Sequence, residues 1–271
     1  MNRRVKLFGC QIDRVRMPMA VSRVFRLLAT RNGPCRYVVT PNVDHVVMLQ
    51  HNVGLQQAYG DADLVLADGM PVVLASRLLG QGLPERVTGA DLVPALFDAA
   101  ERRGGLRVFL LGAGPGVADK AAAKIEARWP AVDVTGTYCP PLGFENDPEE
   151  NATILAKISE ARADIVVVGL GAPKQELWVH AHRDQIDAGV ALCVGATIDF
   201  LAEHKSRAPQ WMQRNGLEWL HRVATEPRRL LGRYARDAWQ FPRIVWHEWR
   251  HGDAIPAGPE STANLQEGLV R

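Results

Sequence analysis

Six runs of valine, leucine and isoleucine recur along the chain with helix-patterned segments between them. That rhythm restricts the fold more than any other feature. The runs are RYVVT (36–40), DLVLA (63–67), LRVFLLG (106–112), VDVTGTY (132–138), DIVVVGLG (164–171) and VALCVGA (190–196). Most are nearly continuous in apolar residues, as strands covered on both faces are. Between them, segments such as GADLVPALFDAAERRGG and GVADKAAAKIEARWP carry helical spacing. The alternation predicts an α/β fold, a Rossmann-like and mostly parallel sheet with helices on both faces. Ligands of such sheets bind beyond the carboxyl ends of the strands, so the residues that follow each run are where chemistry is expected.

After residue 203 the rhythm stops. Residues 204–251 hold no strand-like run, repeat tryptophan, leucine and arginine at helical spacing, and are cut by Pro209, Pro227 and Pro242 into expected short helices. This stretch has ten lysines and arginines against four acids, a local charge of +6 in a chain of net +2, and five of the seven tryptophans. It reads as a basic, amphipathic C-terminal helical appendage that meets a membrane surface or a polyanion. Trp211, Trp219, Trp239, Trp246 and Trp249 suit an interface, or else pack the appendage onto residues 1–203. Residues 252–271 read as a disordered tail. No window reaches the eighteen or more apolar residues of a spanning helix, and Asp13 interrupts the basic N-terminus too early for a signal peptide. The cysteines (Cys10, Cys35, Cys139, Cys193) are widely spaced and fit buried thiols in a reducing cytoplasm.

The strand ends carry the polar residues. Thr40 and Asn42 present a hydroxyl and an amide at one strand-to-helix turn. Asp68 ends the second run just before Gly69, where it serves either as a helix N-cap or as a base at the sheet edge. Arg86 precedes Thr88, an expected cap for a helix over 89–103. Gly112 and Gly114 form a turn whose backbone N–H groups suit a phosphate or sugar edge, and Gly169, Gly171 and Gly195 end two further runs. Lys174 and Gln175 open a helix after Pro173, and Arg207 follows the last strand. As a dinucleotide fingerprint the first glycine turn is poor: Gly116 comes too early, Val117 stands where the third glycine belongs, and Asp133 begins the next strand. Two metal-like motifs are set aside. DAD (61–63) precedes its strand and faces the wrong sheet edge. HEWRH (247–251) sits beside the tail without a clear third ligand.

Read in order, TPNVDHV, ADGMPVV, ERVTGADL, FLLGAGPGVA, VGLGAPKQE, VGATIDFLA and RAPQWMQRNGLEWLHRVATEPRRLLGRY resemble the WecG/TagA/CpsF family of glycosyltransferases, from residue 36 to about 235. The resemblance implies an inverting transfer without a metal or organic cofactor. A sugar (N-acetylmannosamine, its uronic acid or glucose) would pass from a UDP-sugar to a polyprenyl-pyrophosphate-linked sugar in surface polysaccharide synthesis. It implies Asp68 as the base, Thr40, Asn42 and Gln175 at the sugar, and Arg86 near the phosphates. Arg207, Arg214, Arg222 and Arg228 are its candidates for phosphate-facing arginines. It also implies a cytoplasmic enzyme peripherally bound to the anionic inner leaflet, with self-association left open. One departure from the resemblance is visible: Met70-Pro71 follows Asp68-Gly69, where many relatives carry a smaller pair. Two other classes have less behind them. A nucleic-acid binder using the basic segment lacks aromatic-and-basic strings in the sheet domain, and an NAD(P)-dependent oxidoreductase lacks the fingerprint.

Overall fold

Parallel strands need crossovers, and helices supply them here. The computed structural model describes residues 4–30, 33–214 and 216–251, without the side chains of Arg214 and Arg229. The tail reading at 252–271 lies outside the described residues. The chain opens with an antiparallel hairpin, β1 (Arg4–Leu7) and β2 (Cys10–Asp13), and helix α1 (Met17–Ala29). Then come β3 (Arg36–Val39), α2 (Val43–Leu49), α3 (Val53–Gly60), β4 (Leu64–Val65), α4 (Met70–Leu78) and α5 (Gly89–Ala100). The second half adds β5 (Leu106–Gly112), α6 (Val117–Arg128), β6 (Val132–Tyr138), α7 (Pro148–Ala161), β7 (Ile165–Gly169), α8 (Lys174–His182), β8 (Val190–Cys193) and α9 (Thr197–Leu201). The appendage is α10 (Gln210–Arg214), α11 (Glu218–Thr225) and α12 (Pro227–His251).

Six strands form one sheet in the order β4-β3-β8-β7-β5-β6, every pairing parallel. The period of two along each strand builds two apolar layers. Ile165, Val167, Val38 and Leu192 face the side covered by α1, α5, α6 and α9. Val166, Val168, Val39 and Cys193 face the side covered by α2, α3, α4, α7 and α8. The continuous apolar runs therefore have the cause expected of them.

Three departures have local reasons. The run at 63–67 yields only a two-residue strand, because β4 is an edge whose free side is met by Asp13: its carboxylate accepts the Val65 N–H at 3.0 Å. The N-terminal hairpin falls below the level of an apolar run, being two four-residue strands turning at Phe8 and Gly9, both at positive φ. Pro242 does not end its helix: α12 runs unbroken through it for 25 residues. The proline removes the donor for the Ala238 carbonyl, a cost of about 3 kcal/mol in a helix interior. Phe241, Ile244 and Val245 beside it pack against the main core, with the Phe241 and Phe8 rings 5.7 Å apart, and hold the helix in line.

Candidate active site

Helix α2 leaves β3 toward one face of the sheet, whereas α9 leaves the neighbouring β8 toward the other. A crevice opens where paths diverge in this way, at the carboxyl ends of the strands. Two turns build its wall. In the first, Asn42 caps α2, its Oδ1 accepting from the Asp44 and His45 N–H groups at 3.0 and 3.3 Å. In the second, the Asp68 N–H donates to the Pro41 carbonyl at 2.8 Å, which ties the two turns together. Gly69, not Asp68, occupies the N-cap of α4, and no side chain caps that helix. The capping reading of Asp68 therefore fails, and its carboxylate has no hydrogen-bond partner among the described residues.

That carboxylate stands on the wall of a cavity of about 360 Å³ between these turns and the appendage. Burial pushes its pKa up to about 7; Arg222, Arg86 and His45 pull the other way, and Glu218 adds to the rise. Asn42, Arg86 and Arg222 share the wall. The Glu218 carboxylate lies between the two arginines, accepting from Arg86 Nη1 at 3.0 Å and Arg222 Nη2 at 3.3 Å. Met70, Pro71, Trp219, Phe241 and Pro242 give the cavity an apolar side. Met70 fixes its neighbour, because a Cβ on Gly216 would lie 2.7 Å from the Met70 Cβ. Around one void thus converge a carboxylate without a hydrogen-bond partner among the described residues, an amide, two guanidiniums and an apolar strip.

Other expected residues lie elsewhere. Thr40 is buried and donates to the Cys193 carbonyl at 3.1 Å, stitching β3 to β8. Gln175 is buried, not solvated; its amide donates to Glu176 at 2.8 Å and accepts the Gly195 N–H at 3.2 Å. Gly112, Gly114, Gly169, Gly171 and Gly195 lie at the turns after β5, β7 and β8, outside the cavity wall. Gly112 is demanded by packing as well as by its φ of 106°: a Cβ there would sit 2.6 Å from the Gly169 carbonyl. Lys174 pairs with Glu145 at 2.7 Å and rests over the Phe144 ring. Arg207 pairs with Asp91 at 2.7 Å, and Arg228 is exposed at the start of α12. The Arg214 side chain lies outside the described residues. All five appendage tryptophans are exposed, so none is buried against the main domain, although Trp219 lines the cavity.

Sequence reading passed over the layer beneath. His45 is buried, with Nε2 3.2 Å from Glu176 Oε1 and Nδ1 2.9 Å from Asn42 Oδ1. The Asn42 N–H also approaches Nδ1, at 3.5 Å, so Nδ1 accepts from that backbone group in the neutral ring and donates to Asn42 Oδ1 in the protonated one. Burial alone would favour the neutral ring, yet the Glu176 carboxylate outweighs it and raises the His45 pKa. The two backbone donors occupy Asn42 Oδ1, which leaves the amide NH₂ for the cavity. Asp44 was missed as well; it receives Arg233 at 3.4 Å and Arg236 at 2.7 Å from α12. Both residues stand in the quoted TPNVDHV string, and a charged pair in a helix's first turn was the available signal. The DAD aspartates hold the opposite edge, Asp63 through Arg36 and the Tyr37 N–H, Asp61 through His180. Among the described residues, no group of three or more His, Cys, Asp or Glu is placed to hold a metal.

Comparison with known proteins places the chain in a family. A protein of Bacillus spizizenii, N-acetylglucosaminyldiphosphoundecaprenol N-acetyl-beta-D-mannosaminyltransferase, is 32% identical over 231 residues, 85% of each chain. Residues 5–254 match the family of glycosyl transferases named WecG/TagA/CpsF. With nearly all of its length inside that match, the chain belongs to the WecG/TagA/CpsF glycosyl transferase family.

Proposed function

We propose that this glycosyl transferase moves N-acetylmannosamine from a UDP-sugar onto a sugar carried on a polyprenyl diphosphate, with inversion and without a metal. The step belongs to surface polysaccharide synthesis at the inner face of the membrane. The Bacillus relative's name supplies both sugars. The observation that carries the chemistry is the Asp68 carboxylate, without a hydrogen-bond partner among the described residues, beside Arg86 and Arg222 on one cavity wall. In a single in-line displacement the acceptor oxygen forms a bond to the anomeric carbon as the bond to UDP breaks. Asp68 takes the acceptor's proton, and UDP leaves with the electron pair. Negative charge growing on that diphosphate needs donors placed in advance. Arg86 and Arg222 already grip one anion, Glu218, and a diphosphate would compete for the same guanidiniums. The UDP end fits the glycine turns after β5, β7 and β8, with Gly112, Gly114, Gly169, Gly171, Gly195 and Lys174 around it.

The test is a panel of UDP-sugars offered with a short-chain lipid-diphosphate acceptor, with and without EDTA. Turnover of UDP-N-acetylmannosamine that survives EDTA and vanishes in Asp68→Ala is expected. Turnover that EDTA abolishes would sink the metal-free mechanism, and an active Asp68→Ala would sink the base.

A further inference from the structure

On helix α12, two buried polar atoms have no hydrogen-bond partner among the described residues: Asp237 Oδ2 and Arg233 Nε. Their residues stand one helical turn apart, so they share a face, and both belong to the cavity wall. Asp237 is only 2% exposed. Its other oxygen, Oδ1, lies 3.3 Å from Arg236 Nη2, and that same nitrogen reaches Asp44 Oδ1 at 2.7 Å. Arg233 Nη1 lies 3.4 Å from Asp44 Oδ2. Two acids and two guanidiniums thus balance one another, and what remains unpaired, on two residues that line the void, is one acceptor and one N–H donor.

A buried donor or acceptor left unpaired is costly, so the chemistry of these two atoms restricts their ligand. A phosphate would meet the carboxylates of Asp237 and Asp44. An isoprenoid chain would leave both atoms unsatisfied. A neutral group that donates and accepts, such as a hydroxyl or an acetamido group, satisfies both. Asp68 on the same void must face the acceptor's attacking hydroxyl, so the acceptor sugar enters this void beside the diphosphate that Arg86 and Arg222 await. We propose that Asp237 and Arg233 form a subsite that reads a non-reacting hydroxyl or acetamido group of the acceptor sugar. This rests on the transferase reading above and assigns specificity to the appendage helix.

The experiment uses the full chain, UDP-N-acetylmannosamine and a set of lipid-diphosphate acceptors, each lacking one hydroxyl or the acetamido group at a non-reacting position. Wild type is expected to lose about 10- to 100-fold in kcat/KM on one of these analogues. In Asp237→Ala the intact acceptor should fall to the level of that analogue, while the analogue itself is little changed. The gap then closes to less than about threefold. Asp237→Asn serves if the alanine variant does not melt cooperatively. Arg236 would hold the Asn oxygen, so the NH₂ would replace the lost acceptor and the same gap should close. A gap that persists in the variant that folds, an equal loss on every acceptor, or a wild type indifferent to all analogues overturns the subsite. The last two are the outcomes of a structural role and of a site filled by water alone. An Asp68→Ala enzyme that still transfers would instead overturn the underlying reaction, and the two failures are told apart by which variant shows them.

Discussion

A carboxyl group that must take a proton at neutral pH works best when its own pKa lies close to that pH. Asp68, pushed up to about 7 chiefly by burial, meets that condition. It is the carboxylate form that acts, so kcat/KM should fall as pH drops below about 7. A profile flat down to pH 5 would remove Asp68 from the role. The same shift acts on stability. Between the unfolded pKa near 4 and the folded value of about 7 the native state holds more protons, so stability falls as pH rises through that window. Asp68→Asn abolishes that penalty. The variant should be inactive yet more stable than wild type at pH 8, by about 1–2 kcal/mol once solvent at the open face is allowed for. At pH 4 the two should melt alike. Thermal melts at both values decide it, and an Asn variant less stable at pH 8 would show that the carboxylate is a structural group.

Two kinds of contact attach helix α12 to the main domain, and their magnitudes differ. The ion pairs from Arg233 and Arg236 to Asp44 are partly open to water, which limits each to about 1 kcal/mol or less. Phe241 against Phe8, with Ile244 and Val245 packed on the same core, removes apolar surface from water, and truncating a phenylalanine in such a place costs about 1–3 kcal/mol when it is partly buried. Phe241→Ala should therefore speed amide exchange across α12 several-fold more than Asp44→Ala does, with the β5 and β7 amides unchanged in both. Equal effects would mean that the charges, not the rings, hold the helix. This is also where sequence reading reached its limit. The strands of residues 106–112 and 132–138 were legible to the residue: a doubly covered strand such as the first writes its burial into a local apolar run, while the second is a mostly half-buried edge bounded by turn residues. Pro242 misled because what keeps the helix straight is a phenylalanine more than two hundred residues away. The site divides in the same way. Asp68 was legible from its place at a strand end. Asp237, Arg233 and the His45–Glu176 pair owe their surroundings to contacts between distant segments.

The whole molecule presents one unbalanced face. Trp239, Trp246 and Trp249 are each more than half exposed. The Arg243 guanidinium stacks over Trp239 at 3.5 Å, and Arg250 stacks over Trp246 at 4.7 Å. Residues 239, 243, 246 and 250 recur at helical spacing, so they form a single stripe opposite Phe241, Ile244 and Val245. No helix among the described residues is long and apolar enough to cross a membrane, whereas a stripe of indoles and guanidiniums suits the headgroup layer of an anionic one. Ala238 and Pro242, next to Trp239 and Arg243 in the chain, line the cavity, so docking by this stripe would bring the acceptor's void to the lipid surface. Replacing Trp239, Trp246 and Trp249 by serine should weaken binding to anionic vesicles about tenfold or more. Transfer to a long-chain acceptor embedded in those vesicles should fall with it, and transfer to a short-chain acceptor in solution should hold, since none of the three lines the cavity. Vesicle flotation together with the two rates separates docking from catalysis. Unchanged flotation would deny the stripe its role, and equal losses on both acceptors would mean that the substitutions had damaged the site.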